Sequence, residues 1–161
     1  DALAELPALT AAIRKGEDQV RHAAARAFVQ LHPAPDVALP VLEELTRSEN
    51  DPLAVVSLRG LSRYGPEAGP AAPRLCEVLI RAAVDCRPTV AAAAADAVVA
   101  LQDAGADVIQ DVLGPLDPDV GRLVRMELVA AHDRAAKAGE TDVSPILPEP
   151  RTAPPASERL S

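Results

Sequence analysis

Histidine, cysteine and serine are the side chains most able to bind a metal or act as a nucleophile, and here they are sparse. His22 follows Asp18 by four residues, a helical spacing that sets two metal ligands side by side, but no third ligand stands nearby. The pair reads instead as the polar surface of a helix. His32 precedes Pro33 and reads as a helix end, and His132-Asp133 as a solvated late turn. Cys76 and Cys86 have neither a zinc nor a redox-pair spacing and are expected to be free thiols. Cys76 occupies a helix position shared with Thr10 and Glu43 and is expected to be partly exposed, with Glu77 raising its pKa. Ser57 and Ser62 lack a Gly-x-Ser-x-Gly elbow and a placed base. Gly60, Gly65 and Gly69 are not followed by the Lys-Ser or Lys-Thr of a phosphate loop. The residues therefore predict no catalytic group, no cofactor and no metal.

Composition bounds what remains. The 161 residues are 48% hydrophobic but only 1% aromatic, with Phe28 and Tyr64 the two aromatic side chains. A core of alanine, valine and leucine suits helices that approach closely better than a sandwich of bulky strands. Sixteen Lys and Arg against twenty-four Asp and Glu give a net charge of −8, a field that repels a phosphate backbone. Nucleic acid is not an expected partner. No apolar run reaches the ~20 residues needed to cross a bilayer, so no membrane partner is expected either, and the chain is assigned to the cytoplasm. It begins at Asp1 rather than Met, consistent with a processed product or a piece of something longer.

The elements that position these residues come from an internal repeat. Leu6-Pro7-Ala8-Leu9, Leu39-Pro40-Val41-Leu42 and Ala72-Pro73-Arg74-Leu75 recur at an interval of 33 residues. Ala12, Leu45 and Val78 keep the interval one turn later. Between these segments run helices of a second kind, with apolar stripes at helical spacing: Val20, Ala24, Ala27, Phe28 and Leu31; Leu53, Val56, Leu58 and Leu61; Val90, Ala94, Ala97, Val98 and Leu101; Val120, Leu123, Val124, Leu128 and Ala131. Asp51-Pro52 and Asp117-Pro118 mark starts, with the carboxylates expected to cap; His32-Pro33, Tyr64-Gly65-Pro66 and Ala104-Gly105 mark ends. The pattern predicts helices over 4–15, 18–32, 36–48, 52–64, 67–84, 88–103, 107–113 and 118–137. Pro7, Pro40 and Pro73 are expected near the first turn, where a missing donor matters least. The Ala91–Ala95 run is expected where helices pack tightly.

Two phrases carry a family resemblance. Val20-Arg21-His22-Ala23-Ala24-Ala25-Arg26-Ala27 is similar to the "VR-x-x-A-A-x-A-L" helix of short bacterial HEAT-like repeats. Tyr64-Gly65-Pro66-Glu67-Ala68-Gly69-Pro70-Ala71-Ala72-Pro73-Arg74-Leu75 resembles their turn and following helix. Leu53-Ala54 and Val120-Gly121 depart from the Val-Arg pair, and the stretch around Ile109 is shortened, so the fourth repeat is expected to be a distorted cap. The phrases of ankyrin and tetratricopeptide repeats are missing. The resemblance spans about residues 4–137. It implies an all-α fold: a right-handed α-solenoid of about four helical hairpins, an armadillo-like HEAT superhelix, over residues 1–137, with the "VR" helices convex and the proline-bearing helices concave. Residues 138–161, rich in proline, are expected to form a flexible tail, its 145–155 portion a linker or a ligand for proline-binding domains.

By resemblance and by the lack of chemistry, the expected function is a non-catalytic protein-binding scaffold. An accessory or regulatory repeat domain of a longer multidomain protein is the alternative. A HEAT-like bilin lyase or alkylpurine DNA glycosylase fits less well, since the latter needs a basic groove and aromatic contacts to the base. Superposing the repeats brings Glu44 and Glu77 to one position of the proline-bearing helices, while Arg47 and Arg81 fall at two neighbouring positions. These four are the candidate contacts for a protein partner, set against the plainer reading of a solvated ridge.

Overall fold

The computed structural model describes residues 2–143, with side chains from 4 to 139. Eight α-helices follow one another, and there are no strands among the described residues: α1 (Ala2–Lys15), α2 (Asp18–Leu31), α3 (Pro35–Leu45), α4 (Asp51–Arg63), α5 (Ala72–Val84), α6 (Pro88–Ala100), α7 (Ala106–Leu113) and α8 (Pro118–Val143). A 3₁₀ segment, Gly65–Ala71, leads into α5.

The starts and stops follow local chemistry, with some departures from expectation. Asn50, not Asp51, caps α4, its Oδ1 accepting from the Leu53 amide at 3.1 Å. Asp51 is instead taken by Arg87, whose Nε donates to it at 2.8 Å. Asp117 does act at its helix start, accepting from the Asp119 amide at 2.9 Å. The helix expected over 67–84 is split. In Gly65-Pro66-Glu67-Ala68-Gly69-Pro70-Ala71, the prolines remove i→i−4 donors, so the chain tightens into 3₁₀ turns before α5 begins. Pro7 and Pro40 lie inside α1 and α3, not at their first turns. α3 ends at Leu45 rather than 48 because the Thr46 hydroxyl takes the Glu43 carbonyl at 2.6 Å, and the Arg47 and Ser48 amides fall back to three-residue bonds. α8 continues past 137 to Val143. The expected tail beyond that point lies outside the described residues.

The helices pack in two series. α2 packs on α4, α4 on α6, and α6 on α8, while α1 pairs with α2, α3 with α4, and α5 with both α6 and α7. α6 sits at the centre and is buried nearly all round, through Val90, Ala91, Ala93, Ala94, Ala95, Ala97 and Val98. Its alanines let α4, α5 and α8 approach, as the small-residue run suggested. Phe28, Leu42, Leu53, Leu58, Leu61, Leu75, Leu79 and Leu101 complete the core, each fully buried side chain contributing about 2 kcal/mol.

Two stripe residues are exposed. Val20 is half exposed, lying against Gly16 in the α1–α2 turn. Leu123 is exposed as well, on the last helix of the even-numbered series.

Candidate functional site

The histidines do not assemble chemistry. Asp18 pairs with Arg21 at 3.7 Å rather than with His22. His32 terminates α2 in the left-handed region at φ 50°, and its ring stacks on Tyr64 with centroids 4.3 Å apart. The Tyr64 hydroxyl donates to the Pro33 carbonyl at 2.6 Å, and burial raises its pKa, with Arg63 opposing the shift. No cluster of three His, Cys, Asp or Glu with metal-binding geometry occurs among the described residues. Both cysteines are free. Cys76 corrects its expectation: it is wholly buried rather than partly exposed, and burial, not Glu77, pushes its thiol up to about 11. The repeat position misled because Thr10 and Glu43 are only half buried, while α5 is covered by α6, α7 and α8.

The four candidate contacts divide three to one. Arg47, Glu77 and Arg81 line one cleft of about 360 Å³ between the end of α3 and α5, together with Arg74, Asp85 and Arg87. Glu44 lies elsewhere, held by Arg14 of α1 at 3.3 Å, with both side chains about half exposed. Arg47 is in the turn after α3, not on the helix as expected.

Within the cleft the cations differ in what they are free to do. Arg87 is anchored, its Nη2 donating to the Ser48 carbonyl at 3.1 Å and pairing with Asp51 at 2.6 Å. Arg74 reaches Glu77 at 2.7 Å through Nη1 while its Nε is buried without a partner, an unsatisfied donor of the kind that invites an acceptor. Arg47 and Arg81 are exposed and enter no ion pair among the described residues. Arg47 partly offsets the burial that raises the Glu43 pKa. Glu49 and Asp85 sit at the same cleft and keep its field mixed. The arrangement offers directed donors and charge to a ligand's carboxylates or carbonyls; it holds no nucleophile paired with a base.

Sequence reasoning missed the ties between distant residues, of which Arg87–Asp51 is the one at this cleft. Arg87–Asp51, Arg134–Asp96 and Arg63 to the Val29 carbonyl link residues 36, 38 and 34 positions apart. These separations lie near the 33-residue interval of the prolines, a signal that was available.

No family model matches the chain, and neither a curated protein nor a solved structure matches it.

Proposed function

We propose that this chain is a HEAT-like repeat array, a right-handed α-solenoid of about four hairpins, that serves as a non-catalytic protein-binding scaffold. The 33-residue recurrence of Leu6-Pro7, Leu39-Pro40 and Ala72-Pro73, together with side-chain ties about one repeat long, supports the repeat reading. The observation that carries the binding reading is the α3–α5 cleft. It brings Arg47 and Arg81 from successive repeats to one place and leaves both without an ion-pair partner among the described residues. In a chain of net charge −8, arginines that converge on one concavity outside any ion pair among the described residues support a recognition role.

The even-numbered helices pack closely in sequence, whereas α3 and α5 are opened by the cleft and meet chiefly through the 3₁₀ segment. That argues for the even series on the inner side of the curve, reversing the faces that the family resemblance implies. The binding surface is then the cleft between outer helices, not a continuous concave ridge.

The test is charge reversal with a control. Arg47→Glu with Arg81→Glu should abolish affinity capture of the partner from a native extract, and Arg26→Glu, on the exposed side of α2, should leave it intact. Thermal melts of both variants should stay near the parent, since exposed charges are worth about half a kcal/mol each. Equal capture by the cleft variant and the parent would contradict the proposal.

A further inference from the structure

The outward side of α8 carries a self-complementary pattern. α6 and α5 cover one side of this helix, where Val124 and Ala131 are buried. On the opposite side lie Arg122, Met126, Val129 and Asp133, spaced four, three and four residues apart, with Met126 63% and Val129 60% exposed. At about 100° per residue the four fall within a strip of about 60°. A 4-3-4 spacing with apolar residues at its middle is the seam by which one helix packs along another.

The order of the four along the strip selects the occupant. If a second copy of α8 lies antiparallel, with the two-fold axis between Glu127 and Leu128, Met126 meets Val129 of the second copy and Arg122 meets its Asp133. Symmetry then repeats each contact, so two apolar pairs are flanked at both ends by opposite charges. Arg125 faces the small Ala130 of the other copy, which leaves its long side chain room. A parallel copy would instead set Arg122 against Arg122 and Asp133 against Asp133. The existing pair of Arg122 with Asp119, 3.4 Å apart with side chains 69% and 83% exposed, is too solvated to hold Arg122 back.

We propose that α8 is a self-association surface, pairing antiparallel with α8 of a second copy of this chain through Met126 and Val129, with Arg122 and Asp133 setting the direction. The contact is small, so the dimer is a reversible one that forms as concentration rises. This inference does not depend on the α3–α5 cleft or on any partner bound there.

Sedimentation equilibrium of the full chain from micromolar to millimolar concentration tests it. The parent should show a monomer–dimer equilibrium. Met126→Lys with Val129→Lys should weaken association by at least about tenfold. Arg122→Asp alone should weaken it by placing two carboxylates together, and Arg122→Asp with Asp133→Arg should restore it. All these positions are exposed, so dilute samples of every variant should melt near the parent. A parent that stays monomeric throughout, a dimer indifferent to the paired lysines, or a charge swap that fails to restore association would each overturn the proposal.

Discussion

Replacing Gly60 with alanine sets helix propensity against packing, and the geometry decides the sign. Gly60 lies inside α4, where alanine would stabilise an isolated helix by about 1 kcal/mol. It is also buried, and an added Cβ would stand 2.7 Å from Val29 Cγ2 on α2 and 3.2 Å from Leu42 Cδ1 on α3. The first of these is about an ångström inside normal carbon contact. Val29 is β-branched, with one strongly favoured helical rotamer, so it cannot swing away cheaply. Leu42 is fully buried. Overpacking of this kind costs about 1–3 kcal/mol, so after the propensity gain the variant should lose about 1 kcal/mol, or roughly 2–5 °C of melting temperature. Urea titration followed by circular dichroism measures it. Adding Val29→Ala should cost less in the Gly60→Ala background than in the parent, since it vacates the space the new methyl needs. A Gly60→Ala protein as stable as the parent, or more so, would refute the close approach of α2 and α4.

Tyr64→Phe strands the buried Pro33 carbonyl, whose 2.6 Å bond it removes, and should cost about 1–2 kcal/mol in the same titration. Cys76 ionises at about 11 when folded against an ordinary 9.0. Because the raised value belongs to the folded state, stability is intact below pH 9 and falls between 9 and about 11; Cys76→Ala should flatten that part of the profile. In native buffer a thiol reagent should label the exposed Cys86 at once and the buried Cys76 only on unfolding. Cys86→Gly should gain about 0.5–1 kcal/mol by relieving the left-handed φ of 56°, read as a shift in the urea midpoint. Hydrogen exchange should be fastest in α7 among the helices, since none of its eight residues is buried.

Much of the architecture was legible because helical periodicity and proline spacing are local signals. The proline interval and the apolar stripes placed most helix ends to within a few residues, the start of α5 and the end of α8 excepted, and the Ala91–Ala95 run foretold the crowded centre. The exceptions have physical causes. Cys76 looked half exposed because equivalence between repeats assumes equal cover, yet α5 is flanked by more helices than α1 or α3. The absence of a side chain at Gly60 is what lets α2 and α3 approach α4, and no local pattern discloses it. Asp51 read as a cap, but Arg87 lies 36 residues away, and no local pattern discloses such a pairing. Of the candidate contacts, Arg47, Glu77 and Arg81 lie at one cleft, while Arg74 and Arg87, which line it too, are placed there by the tertiary structure alone. Glu44 was grouped with Glu77 by repeat position and separated from it by its bond to Arg14.

The scaffold account is tested most directly by placing a photo-crosslinking side chain at position 81, in the α3–α5 cleft, and separately at position 26, on the exposed side of α2, and irradiating each protein in native extract. The account predicts a discrete covalent adduct with one protein from position 81, lost when Arg47→Glu is added, and no corresponding adduct from position 26. Equal labelling from both positions, or none from position 81, would contradict it.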